Sequence, residues 1–128
     1  MTTESFGYIS MVTDIGNRYM SKPTDLVQGT LDLLILKILA LQPMHGWAIA
    51  ERLKQMSKNI LHVGPGSLYP ALHKLEDEGW VKAEWSVNEA KRRVKFYSIT
   101  RHGRKRLQEE TAGWKRLSGA ISTIVFAR

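Results

Sequence analysis

Before residue 79 the apolar residues recur at helical spacing, and after it they alternate. Leu31, Leu34, Ile35, Ile38 and Leu41 fall on one helical stripe, which predicts a helix from about Leu26 to Leu41 with Pro43 as its stop. The stripe is wide, so this helix is expected at the centre of the core. Pro43-Met44-His45-Gly46 reads as a tight turn. A second helix is expected from Trp47 to about Met56, with Trp47, Ile49, Ala50, Leu53 and Met56 inward.

The third helix is the most constrained. GPGSLYPALHKLEDEG, Gly64 to Gly79, places two glycines and a proline at its entrance and a further proline inside it. At about 100° per residue, Leu68, Ala71, Leu72 and Leu75 share one arc. Tyr69, Pro70, His73 and Lys74, with Asp77, lie opposite. With Ser67 as the cap, Pro70 occupies the third helical position, where its missing N–H had no partner to lose. The predicted span is Ser67 to Glu78, closed by Gly79.

Trp80 to Trp85 and Val94 to Ile99 then read as strands, the second with Val94, Phe96 and Ser98 on one face. The polar, basic segment between them carries Asn88 as a turn residue, so the pair is a hairpin. Thr100 caps a last helix running to about Val125, with Leu107, Trp114, Leu117, Ile121 and Ile124 on its apolar stripe. The fold class is mostly α with a small β-hairpin, a winged helix-turn-helix followed by a C-terminal helix. The expected organisation is an N-terminal arm over 1–24, a winged helix over 25–99 and a dimerisation helix over 100–128. Tyr8, Val12, Ile15 and Tyr19 fit a short amphipathic helix within the arm and fit a frayed arm equally well.

The chain has 128 residues, 43% of them hydrophobic, which suits one folded domain. It contains no cysteine, which removes disulfide and thiolate chemistry and fits a reducing, cytoplasmic setting. The longest apolar run, Leu31 to Leu41, is too short to span a bilayer and is interrupted by Asp32 and Lys37. The N-terminus lacks the pattern of a secretory signal.

Charge changes the picture more. The net charge is +7, and from Lys91 to Arg106 there are eight lysines and arginines and no acid. A cationic segment around a hairpin points to a polyanion, nucleic acid first, although a solvated charge run has the same composition. A helix N-terminus offers free N–H groups to a phosphate. Tyr69, His73 and Lys74 can donate to phosphates or base edges.

The chemistry of a site is otherwise sparse. His45, His62, His73 and His102 have no partner at metal-ligand spacing, so no metal or other cofactor is expected. No nucleophile elbow or phosphate-binding glycine loop is present, and an enzyme is not expected. Glu76, Asp77 and Glu78 read as solvated or paired with the basic wing. Trp47 reads as core. Trp114 lies on the stripe of the last helix, where it can be a packing anchor.

The segment Gly66 to Glu76, followed by Gly79-Trp80-Val81, closely resembles the recognition-helix signature of PadR-type transcriptional regulators. Gly29-Thr30-Leu31-Asp32, Met44-His45-Gly46 and Tyr97-Ser98-Ile99-Thr100 with Gly103 match the same pattern. The resemblance covers about Asp25 to Leu117, in the manner of the family's short branch, and residues 1 to 20 have no counterpart in it. It implies a homodimeric, winged-helix repressor of double-stranded DNA. Ser67, Tyr69, Pro70, His73 and Lys74 would face the major groove, and Lys91, Arg92, Arg93 and Lys95 would form the wing contact. Leu107, Trp114, Leu117, Ile121 and Ile124 would join the subunits, with Trp114 suited to stacking a small aromatic effector. A winged-helix adaptor for protein and a non-specific nucleic-acid binder are the alternative readings.

Overall fold

The computed structural model describes residues 25–128, with the expected helix in the N-terminal arm lying outside them. At its centre is α1, Asp25–Leu41, which contacts three other helices and the sheet. Its Leu31, Ile35, Leu36, Ile38 and Leu39 are all buried. The core arc is therefore rotated from the expected stripe: Leu36 and Leu39 are inside, and Leu41 is 49% exposed.

The segment expected to be a simple turn forms β1, Met44–His45. It pairs antiparallel with β3, Met44 opposite Tyr97 and His45 opposite Phe96. A two-residue strand carries no period to read, and only its partner defines it. The strand order is β1-β3-β2. His45 also caps α2, Gly46–Met56, by accepting a hydrogen bond at Nδ1 from the Ala48 amide.

In α2, Ile49 and Leu53 reach the core, whereas Met56 and Trp47 do not. Trp47 is 67% exposed, which corrects its reading as core. The geometry explains it: two helical steps rotate Trp47 about 200° from Ile49, and only one of the two can face inward. The chain leaves α2 through left-handed Lys58 (φ 54°) and Asn59 (φ 68°) and then enters α3, Pro65–Asp77.

The start of α3 also differs from expectation. Gly64 is the N-cap and Pro65 the first helical residue, so Ser67 is the third residue and not the cap. Proline suits that first position because its φ is already helical and its N–H is not needed. Pro70 then lies in the second turn, inside the helix, and offers no N–H to the Gly66 carbonyl. The inner face is as expected, with Leu68, Ala71, Leu72 and Leu75 all buried. The helix ends in a Schellman arrangement. Trp80 N–H donates to the Leu75 carbonyl and Gly79 N–H to that of Glu76, with Gly79 at φ 78°.

The hairpin strands are β2, Val81–Val87, and β3, Arg93–Ile99, both longer than the alternation predicted. Val81, Tyr97 and Ile99 enter the core, while Val94, Phe96 and Ser98 on the other face are half-buried. Residues 88–92 form the tip. Asn88 N–H donates to the Arg92 carbonyl, Asn88 Oδ1 accepts from the Arg92 amide, and Lys91 sits at φ 62°, a place usually taken by glycine.

Thr100 caps α4, Arg101–Val125, as expected, accepting from the Gly103 amide at 2.9 Å. Its hydroxyl also donates to the Gly79 carbonyl at 2.7 Å, tying the end of α3 to the start of α4. Gly103 lies against the Trp80 carbonyl, where any β-carbon would collide with the main chain. Leu107 packs against the core, and beyond it α4 runs out along exposed surface.

Candidate nucleic-acid interface

Three elements meet on one side of the fold: the start of α2, the first turns of α3 and the hairpin. Tyr69 joins two of them. Its ring lies over Gly46, so close that a β-carbon there would stand 2.7 Å from the Tyr69 hydroxyl. Gly46 therefore lets α3 seat its tyrosine against the start of α2, and the ring remains 46% exposed. Pro70 and His73 are exposed beside it, and Ser67 is half-buried.

Lys74 differs from its neighbours. Its ammonium donates to Asp32 Oδ2 at 2.6 Å, linking α3 to the central helix. Asp32 is only 6% exposed, and its other carboxylate oxygen is buried without a hydrogen-bond partner among the described residues. Lys74 thus carries a structural duty in addition to its outward position. Sequence reasoning assigns it only to DNA and gives Asp32 no partner.

The hairpin cations are held in different ways. Lys91 and Arg92 stand exposed at the tip. The Arg93 guanidinium lies 4.5 Å from the centroid of the Trp85 ring, a cation–π arrangement that fixes its direction. Lys95 reaches Glu76 at 3.6 Å, so the acidic end of α3 does pair with the wing. The Lys95 ammonium also lies 5.7 Å from the Tyr97 ring. Burial first, then the charge of Glu76 and the nearby Tyr69, pushes the Tyr97 phenol above its ordinary value, so it stays neutral and can donate.

Between hairpin and helices lies a cleft of about 560 Å³ whose walls include His45, Trp47, Tyr69, Trp85, Arg93 and Lys95. Trp85 is 59% exposed. Sequence reasoning gives Trp47 and Trp85 no part in a site. Strand parity misleads for Trp85: it shares a face with Val81 and Ala83, but the hairpin leaves the body of the fold before Trp85, and the same face becomes surface.

On the other side, Trp114, Leu117, Ile121 and Ile124 of α4 are 43%, 40%, 41% and 75% exposed. Among the described residues nothing covers this apolar stripe, while Leu107, expected on the same stripe, belongs to its own core. Trp114 and Leu117 border a second groove of about 370 Å³ against Gly29, Thr30 and Leu33 of α1. Among the described residues no three His, Cys, Asp or Glu side chains converge as a metal site, and no helix is long and apolar enough to cross a membrane.

The pattern of the transcriptional regulator PadR-like family matches residues 35–109. The chain is 34% identical over 90 residues to the transcriptional regulator Rv3488 of Mycobacterium tuberculosis, covering 70% of this chain and 79% of that protein. It is 39% identical over 89 residues to a 37.1 kDa protein in transposon TN4556 of Streptomyces fradiae, covering 70% of this chain but 24% of that longer protein. A transcriptional regulator from Clostridium thermocellum has a similar structure, with a TM-score of 0.72 at 25% identity, covering 82% of this chain and all of the other.

Proposed function

Because the chain belongs to the PadR-like family of transcriptional regulators, we propose that it acts as a homodimeric, sequence-specific DNA-binding repressor. In this reading the exposed edge of α3 enters the major groove, where Tyr69 and His73 contact base edges or phosphates. Ser67 and Pro70 line the approach. Lys74, held by Asp32, sets the angle of α3 against α1 and offers its exposed side to the DNA. Lys91, Arg92, Arg93 and Lys95 on the hairpin follow the phosphates. The stripe of Trp114, Leu117, Ile121 and Ile124 joins the subunits, and Trp114, at the rim of the α1–α4 groove, is placed to stack a small aromatic effector that relieves repression.

The observation that carries this reading is the placing of the outward side of α3 and the cationic hairpin on the same side of the fold. Lys95 is shared with Glu76, but an adaptor that binds protein would have no use for the exposed Lys91, Arg92 and Arg93 of the wing.

Salt dependence tests it. Duplex binding should weaken steeply as salt rises, since each neutralised phosphate releases counterions. Replacing Arg92 and Arg93 together by alanine should lower the slope of log affinity against log salt by about 0.9 for each phosphate that is no longer neutralised. Titration of a labelled duplex at several salt concentrations measures it. An unchanged slope would take the hairpin out of the interface.

A further inference from the structure

We infer that the cleft between α2 and the hairpin is a seat for one sugar–phosphate strand of DNA, with Trp47 and Trp85 as its two walls. The inference rests on the proposed reading of the chain as a DNA-binding regulator, and adds to it two contact residues, Trp47 and Trp85, outside both α3 and the hairpin tip.

The two indoles are the starting observation. Trp47 comes from the first turn of α2 and Trp85 from the hairpin, and both are largely exposed, at 67% and 59%. Neither is needed by the core. Large apolar rings left in water on two separate elements, facing one cleft, call for a partner that covers them.

The chemistry of the lining selects the partner. Arg93 and Lys95 supply positive charge, Lys95 being shared with Glu76 at 3.6 Å, and among the described residues that line the cleft there is no carboxylate. Tyr69 contributes a phenol, each indole an N–H donor, and neither indole can accept a hydrogen bond. The start of α2 adds the positive end of a helix dipole, with its Ala48 N–H already bonded to His45 Nδ1. Donors and cations in excess of acceptors suit an anion, and flat apolar walls suit the faces of deoxyribose rings. A sugar–phosphate strand offers both at a regular repeat. A small anion alone would leave the indoles uncovered, and an apolar peptide would offer the Arg93 guanidinium no anion.

Position selects the same partner. The cleft is bounded by Tyr69 of α3 on one side and by the hairpin on the other. A strand running from the groove filled by α3 to the phosphates followed by the hairpin passes over it. Trp85 then has a second duty. Its ring is the platform that holds the Arg93 guanidinium at 4.5 Å, so it positions that cation as well as touching the strand.

The test uses the full chain, with Trp47→Ala, Trp85→Ala and Trp85→Phe. Each protein is titrated with its selected duplex and with an unrelated duplex at one salt concentration, and phosphate ethylation interference is mapped on the selected duplex. Each alanine variant is expected to weaken both duplexes equally, by roughly tenfold. Specificity between them should stay as it was, because a backbone contact reads no sequence. Trp85→Phe should recover most of the loss, because it keeps a ring beneath Arg93. Interference should disappear at the phosphates between the α3 contacts and the hairpin contacts. Thermal melting should be unchanged, since both residues lie outside the core. Alanine variants that bind both duplexes like the parent, or an interference pattern that is unaltered, would overturn the inference and leave the regulator reading standing. A parent that binds no duplex would overturn the regulator reading, and the cleft assignment with it.

Discussion

Lys74→Ala should destabilise the fold by about 2–4 kcal/mol, far more than an exposed lysine normally would. The reason lies in its partner. Asp32 is held inside the fold at 6% exposure, and Lys74 is the cation that neutralises it. One oxygen of Asp32 has no hydrogen-bond partner among the described residues, so loss of the ammonium would leave a buried carboxylate with little compensation. The side chain of Lys74 is 54% exposed, so water reaches that end of the pair, which holds the expected cost to the figure given. The converse change is asymmetric. Asp32→Ala removes the buried charge and leaves a lysine that can turn into solvent, so it should cost clearly less. The double variant Asp32→Ala/Lys74→Ala should regain much of what Lys74→Ala loses. Urea denaturation of the four proteins measures this. A Lys74→Ala variant with the midpoint of the parent would show that the pair contributes nothing.

The consequence for DNA binding is practical. A weaker complex with Lys74→Ala cannot be assigned to base readout until the stability of the variant is known. Tyr69 and His73 make the cleaner probes of readout, since neither is tied to the core by an ion pair.

Glutamate at Leu117 and Ile121 together should turn the protein into a monomer and lower affinity for its DNA site by more than about a hundredfold. The two residues are 40% and 41% exposed on a helix whose far half is left uncovered by the other described residues. Covering this stripe with the same stripe of a second chain gives a two-fold pair, self-complementary by symmetry. Charged side chains there would be buried face to face. The fall in affinity follows because one subunit reaches one half-site, and the gain from linking two is lost. Sedimentation velocity and DNA titration of the same sample should change together. A variant that stays dimeric and binds tightly would place the subunit contact elsewhere.

Much of this architecture is legible where local pattern decides it. The inner face of α3 follows from the spacing of Leu68, Leu72 and Leu75. The start of α4 follows from Thr100, because a cap acts within three residues. The end of α3 is equally local, since Gly79 alone supplies the left-handed turn. What is not legible depends on partners far away in sequence. β1 exists only because Tyr97 and Phe96 arrive beside Met44 and His45. The pairing of Lys74 with Asp32 joins residues 42 apart, and no periodicity reports it. Gly46 is explained only by the Tyr69 ring above it. Competing signals obscure the true start of α3, because Ser67 is a good cap in sequence while the adjoining Gly64-Pro65 takes the role. Trp47 is a different matter, because the helical angle between it and Ile49 already keeps the two from sharing the core.

In the proposed reading a symmetric pair of these chains reads a particular DNA sequence through two copies of α3. Selection of bound duplexes from a random pool, at one fixed salt concentration, tests this most directly. Enrichment of a palindromic site whose half-sites lie about one helical turn apart is the expected result. Binding that leaves the pool unenriched, or that enriches a site without two-fold symmetry, would contradict it.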